Sequence, residues 1–217
     1  MKKIIKKILF CTIPLFHDWY KYRVANLWLI GYCKYVYKRL FGLKPYWPIE
    51  PGCVVGEWEK IYVGRNSNVG RPGCYIQGGG GIYIGNYVRV TTNVGIMSRN
   101  HDLYDHRVSH TEPVIIHDYC WLGMGCKVLA GVELGPRTIV AAGAVVTKSF
   151  PEGNCVIGGV PAKKIKELDS HKVQHYKLPE EMYGYLTPDQ FERYKRTYLK
   201  DCPFLDENYN LTIIEDY

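Results

Sequence analysis

The sequence predicts a mainly β chain whose body is a parallel β-helix. The first sign is a period of six from Ile116 to Val146, where Ile116, Leu122, Val128, Leu134, Val140 and Val146 are all aliphatic. The second is a small or apolar partner four places after each of the first five: Cys120, Cys126, Val132, Thr138 and Ala144. The third is the content of 22 glycines, which suits a chain full of tight corners. An amphipathic helix repeats at 3.6 residues and a half-exposed strand at 2, so neither produces six. Each hexad reads as a short strand plus a corner. Three strands close one triangular coil, with the aliphatic residue pointing at its axis.

Three regions follow in order. Residues 1–45 read as a basic segment of amphipathic helix, with Ile5, Ile8, Leu9, Ile13, Phe16, Tyr20, Val24 and Leu27 at helical spacing and Pro14 as a break. A connector with Pro45, Pro48 and Pro51 leads into the body, residues 50–168. Hexads appear at Val63-Gly64, Val69-Gly70, Ile84-Gly85, Val90 and Ile96. Gly78 to Gly81 interrupts them, as a bulged corner or as a place where something approaches the backbone closely. The pattern stops at Asn100-His101. Residues 102–115 are polar and aperiodic, a loop thrown out from one corner, and the period resumes at Ile116. A partial coil spans Cys155 to Gly159. The extension 169–217 carries a capping box, Thr187 with Gln190 behind Pro188, which predicts a helix over about 188–200. The rest of the extension is expected to be loosely held.

The net charge of +7 is unevenly spread. Residues 1–44 hold ten Lys or Arg against one acid, Asp18, which is +9 and leaves −2 for the other 173 residues. That argues against a nucleic-acid-binding body. Aromatic residues mixed with Lys and Arg fit a helix lying in a membrane interface, so peripheral membrane association through residues 1–44 is one reading. Packing of the same stripe on the protein or a neighbouring subunit is the other. Eight cysteines without a CxxC pair read as buried free thiols in a reducing compartment. No apolar run reaches the roughly 18–20 residues of a spanning helix. Lys2 to Phe16 has no small-residue cleavage site, so it does not read as a signal peptide. The expected location is cytoplasmic.

Four motifs in this order carry a resemblance: Asn100-His101-Asp102 before a loop, Trp121-Leu122-Gly123, Ala142-Gly143-Ala144-Val145-Val146-Thr147-Lys148, and Gly159-Val160-Pro161-Ala162-Lys163. Together they resemble the hexapeptide-repeat acyltransferases, in the branch of the maltose and galactoside O-acetyltransferases and of capsule and lipopolysaccharide acetyltransferases. The resemblance covers roughly residues 50–168. It implies a left-handed β-helix, against the usual right hand of parallel crossovers. It also implies a homotrimer with active sites between subunits, acetyl-CoA as co-substrate, and no metal.

The chemistry needs a base for the attacking hydroxyl, stabilisation of an oxyanion, and two substrates held together. Histidine suits the first task because its pKa lies near working pH. The resemblance places His101 as that base. Asp102, Asp105 or Glu112 could orient its ring through the second nitrogen, or all three could be solvated loop acids. Residue by residue, the resemblance carries the coenzyme onto Trp121, Met124, Ala142, Thr147, Lys148, Lys163 and Lys166. The last two would meet its phosphates, as point charges where the family often has Arg. Lys163 to Lys166 could instead be a solvated terminus, and Trp121 a packing residue. In galactoside-type enzymes an Asn and an Asp contact the sugar, but here the aligned positions fall near Arg71 and Gly79. Neither a galactoside nor maltose is therefore implied, and Asn93, Asn100 and the glycine run remain as acceptor candidates.

The function expected is an acetyl-CoA-dependent O-acetyltransferase acting on a sugar hydroxyl in surface polysaccharide biosynthesis, with a small-molecule or lipid-linked acceptor. An amino-sugar N-acetyltransferase is the nearest alternative, because one base serves both. A zinc enzyme of the γ-carbonic-anhydrase type shares the fold, and His101, His106, His110 and His117 are grouped, but no histidine lies between His17 and His101 to complete three ligands. A non-catalytic β-helix scaffold is the remaining reading.

Overall fold

The computed structural model describes residues 44–174 and 176–213. The basic segment read from residues 1–44 thus falls outside the described residues except for Lys44. Among the described residues no helix is long and apolar enough to cross a membrane.

Three parallel sheets form the faces of a prism, a left-handed β-helix. The first face stacks Val54–Gly56, Tyr75–Gln77, Gly95–Met97, Lys127–Val128 and Val145–Val146. The second stacks Arg89–Val90, Trp121–Leu122, Ile139–Val140 and Cys155–Gly158, and Lys163–Glu167 folds back antiparallel on its top edge. The third stacks Ile61–Val63, Ile82–Ile84, Val114–Ile116 and Glu133–Leu134. In the upper coils, partners such as Trp121 and Ile139 or Lys127 and Val145 lie three hexads apart.

The period of six is the core. All eleven residues of the 116–146 pattern named above are at most 1% exposed. Burying each aliphatic side chain is worth about 1.5–3 kcal/mol. Thr138 is the polar member, and its hydroxyl donates to the Gly135 carbonyl at 2.6 Å. One corner is built from left-handed residues on every coil: Asn66, Tyr87, Tyr119, Arg137 and Asn154.

The glycine run is explained by close approach. A Cβ at Gly80 would stand 2.4 Å from the Ser98 carbonyl oxygen and 2.9 Å from the Glu112 nitrogen. These atoms form the base of the excursion predicted at 102–115. That excursion is an antiparallel hairpin, Arg99–His101 against Ser109–Thr111. The coil resumes at Val114, which is fully buried, rather than at Ile116.

The C-terminal extension is packed, not loosely held. Helix α1 (Pro188–Tyr198) starts at the expected cap, where Gln190 N donates to Thr187 Oγ1 and Thr187 N donates to Gln190 Oε1. Phe191 stacks on Tyr183 at 4.0 Å and meets Tyr62 edge-on. Phe204 meets Tyr83 edge-on. Tyr62 and Tyr83 point outward from the third face yet are 2% and 1% exposed. The extension therefore covers the lower coils of that face.

Candidate active site

The hairpin leaves the corner between the first and third faces and is tied down at its base. Ser98 Oγ donates to the Gln77 carbonyl at 2.8 Å and accepts from Gly80 N at 2.9 Å. Arg99 pairs with Glu57 at 3.0 Å. At the far end, Asp102 Oδ1 accepts from the amides of Tyr104 and Asp105, closing the turn.

His101 ends the outgoing strand and is exposed. Its Nδ1 lies 2.7 Å from the His106 carbonyl oxygen. A carbonyl only accepts, so Nδ1 must carry the proton in this contact. In the neutral ring Nε2 then holds the lone pair, which is the state a general base needs.

The group bonded to Nδ1 is a backbone carbonyl, whereas the sequence offered Asp102, Asp105 or Glu112. Asp102 instead accepts from His110 Nε2 at 3.0 Å, and that bond, with the two turn amides, lowers its pKa to about 2. Asp105 binds the Arg107 guanidinium, which lowers its pKa. Glu112 sits at the hairpin base, with its carboxylate against Gly131 one coil above. His117 is engaged elsewhere, 3.0 Å from Glu133. Among the described residues no three His, Cys, Asp or Glu side chains converge as a metal-binding set.

The residues proposed for the coenzyme, Trp121 apart, divide between the two edges of the first face. Met124 and Ala142 occupy the corner that precedes this face, and both are exposed. The Met124 carbonyl accepts from Gly143 N at 2.8 Å, which stacks the two corners. Above them, Gly159 and Ala162 hydrogen-bond to Val145, and Lys163 and Lys166 follow on the exposed terminal strand. Thr147 and Lys148 lie beyond the opposite edge, the His101 side, with the Lys148 ammonium 5.7 Å from the Phe150 ring centre. Trp121 is on the second face, half exposed.

The acceptor candidates also separate. Asn100 is exposed beside His101 and pairs with His110 across the hairpin. Asn93 is a left-handed corner residue on the Met124 edge, where its carbonyl accepts from Lys127 Nζ at 2.8 Å.

Sequence reasoning missed a groove on the second face. Its lining includes Tyr87, Tyr119, Arg137, Arg89, Trp121 and, from the extension, Val173, Gln174 and Tyr176. The available signal was local. The hexad register puts residues 87, 119 and 137 at one corner, where bulky side chains stand in place of the Asn or Gly that left-handed backbone favours.

The family model described as bacterial transferase hexapeptide (six repeats) matches residues 113–148. A Saccharomyces cerevisiae protein provisionally named an acetyltransferase is 34% identical over 136 residues, covering 59% of this chain and 68% of that protein. The galactoside O-acetyltransferase of Lactococcus lactis is 35% identical over 103 residues, covering 44% of this chain and 49% of that enzyme. The chain thus spans about half the length of the latter. The solved structure of an N-acyltransferase from Bacillus cereus, in complex with dTDP and 3-hydroxybutyryl-CoA, superposes with a TM-score of 0.50 at 16% identity over 57% of this chain and 80% of that one, a likeness of fold alone. With its period of six buried throughout and its match to the yeast relative over two thirds of that protein, the chain belongs to the hexapeptide-repeat acyltransferases.

Proposed function

We propose that the protein transfers the acetyl group of acetyl-CoA to a sugar hydroxyl, with His101 as general base. The observation that carries this reading is the His101–His106 contact, which leaves Nε2 as the acceptor at an exposed position on a braced hairpin. The acceptor hydroxyl gives its proton to Nε2 as its oxygen attacks the thioester carbonyl. The resulting imidazolium returns that proton to the departing thiolate. The galactoside acetyltransferase among the relatives supports a sugar acceptor. Met124, Ala142, Lys163 and Lys166 would carry the coenzyme along one edge, phosphates toward the lysines.

Within one chain, His101 and that edge flank the first face from opposite sides. A cyclic trimer would bring the base of one copy to the coenzyme edge of the next, so a homotrimer is part of the proposal. A role in surface polysaccharide synthesis at the inner membrane face, held there by residues 1–44, extends it.

The test is thiol release from acetyl-CoA across sugars, amino sugars, nucleotide sugars and lipid-linked glycans. His101→Ala is expected to lose at least about 100-fold with the productive acceptor, with an unchanged melting curve because the side chain is exposed. Retained turnover in that variant would remove His101 from the chemistry. Product cleavage by hydroxylamine marks an O-acetyl ester. A resistant product would replace this reading with N-acetylation.

A further inference from the structure

The hairpin that carries His101 holds a second oriented histidine. Asn100 pairs with His110, and His101 with Ser109, across its two strands. Side chains alternate between the faces of a strand, so His101 and His110 stand on opposite faces of the hairpin. His110 Nε2 lies 3.0 Å from Asp102 Oδ2. That bond first, and then the Tyr104 and Asp105 amides, hold the Asp102 carboxyl down at about 2. An ionised carboxylate only accepts, so His110 carries its proton on Nε2. His101 carries its own on Nδ1. The two neutral imidazoles are thus held in opposite tautomers.

A chain of bonds joins them through the turn. Asp102 Oδ1 accepts from Tyr104 N at 2.8 Å and from Asp105 N at 3.0 Å. Such a bond from an Asp to amides just ahead of it is a local device for closing a turn. The Asp102 amide donates to the Val108 carbonyl at 3.0 Å, and Val108 N donates to the Asp105 carbonyl at 2.9 Å. Asp105 in turn accepts from the Arg107 amide at 3.0 Å and from its guanidinium at 2.9 and 2.8 Å. His106 lies between Asp105 and Arg107, so its carbonyl takes the direction this turn gives it. That carbonyl is the group His101 Nδ1 meets at 2.7 Å.

Burial does not shape this tip. Leu103 and Tyr104 are 84% and 97% exposed. Hydrogen bonds therefore set its conformation, and the bond from His110 anchors the Asp102 carboxylate to a side chain of the return strand. Without that anchor Asp102 can change rotamer, and the His106 carbonyl can turn away from His101. The nitrogen that carries a histidine's proton is set by the hydrogen bond the ring makes, so a change at His110 reaches the free lone pair of His101 without any contact between the two rings.

We propose that His110 is a positioning residue for the base: through Asp102 it holds the turn whose His106 carbonyl fixes the ring of His101. The role of that ring as base rests on the transferase reading, and the fixing of its tautomer does not. The experiment reads both in the full chain. Long-range nitrogen–proton correlation spectra at about pH 8, above the ordinary histidine pKa, should show His101 protonated on Nδ1 and His110 on Nε2. In His110→Ala, His101 should lose its fixed Nδ1–H form. In His110→Gln, whose amide still donates to Asp102, it should keep that form. With the productive acceptor, His110→Ala should lower kcat at least about tenfold at unchanged KM for acetyl-CoA, and His110→Gln should restore most of the loss. Added to His101→Ala, His110→Ala should change the residual rate by less than about twofold, because its effect runs through His101. Melting curves should match the parent, since both histidines are exposed. An Nδ1–H signature of His101 that survives His110→Ala overturns the proposal, and so does parental kcat in that variant. An equal fold loss with and without His101 also overturns it and gives His110 a role of its own. If no acceptor turns over in the parent, the transferase reading falls and the spectra still decide the positioning.

Discussion

Replacing Gly80 by alanine should slow acetyl transfer without unfolding the β-helix. The new methyl would stand 2.4 Å from the Ser98 carbonyl oxygen and 2.9 Å from the nitrogen and oxygen of Glu112, whereas ordinary contact begins at 3.4 Å. These are backbone atoms on both strands of the hairpin base, so no side chain can swing aside. Relief requires the hairpin to move outward by 1.0 Å, the difference between 3.4 and 2.4 Å. His101 lies on that hairpin, three residues beyond Ser98. A misplacement of about 1 Å at a reacting group costs on the order of 100-fold in rate. Overpacking of this kind costs about 1–3 kcal/mol of stability, so a folded protein remains. The assay is kcat and KM for acetyl-CoA alongside a thermal melt. The hairpin carries the proposed base and none of the residues proposed for the coenzyme, so kcat should fall and KM for acetyl-CoA should hold. Gly56→Ala is the matched control, because its methyl meets nothing within 4 Å. Wild-type kcat in Gly80→Ala would refute the claim that the glycine run exists to seat the hairpin.

Two further outcomes follow from titratable groups. The Asp102 carboxyl is held at about 2 by its bond from His110 and the two turn amides, against about 3.9 for an unfolded Asp. Its contribution to the hairpin turn is therefore present above about pH 4 and lost as pH falls toward 2. Protection of the Tyr104 and Asp105 amides, relative to their intrinsic exchange, should fall over that window, and flat protection down to pH 2 would contradict the assignment. Burial pushes the Cys120 and Cys126 thiols up to about 12. Peptide mapping after iodoacetamide at pH 9 should find both unmodified in the folded protein and modified only after denaturation.

The prism was legible because every coil imposes the same demand. An inward position at a triangular axis accepts an aliphatic residue or a small one, and the register from Ile116 to Val146 repeats that demand without exception. The cap at Thr187 was legible for a similar reason, since both of its hydrogen bonds are written in two side chains, Thr187 and Gln190. The place of His101 at the end of a strand before the excursion was legible, but the partner of its ring was not. The group that sets its tautomer is the His106 carbonyl, and a carbonyl has no letter in the sequence. The packed extension was hidden differently. Tyr62 and Tyr83 occupy outward positions, which solvent or a protein layer could cover equally well. Only the placement of Phe191 and Phe204 decides between them.

The three faces then divide the labour of the molecule. The third face is spent on stability in its lower coils, where the aromatic layer of the extension buries Tyr62 and Tyr83. The second carries the groove with two arginines and the exposed Trp121. Among the described residues the first face carries no such layer, and its outward column of Tyr75, Gly95, Lys127 and Val145 is joined in one register. Its two edges hold the separated halves of the proposed chemistry, His101 on one side and Met124 with Ala142 on the other. Among the described residues, the lower coils of the third face are covered, and another copy is proposed to pack on the first and second faces. Packing the first face of one copy against the second face of the next is heterologous, and a closing rotation turns it into a ring. Such a ring would set the base of one chain beside the coenzyme edge of another. The proposed base and coenzyme sites thus require the same assembly, and a monomer able to turn over at full rate would contradict both together.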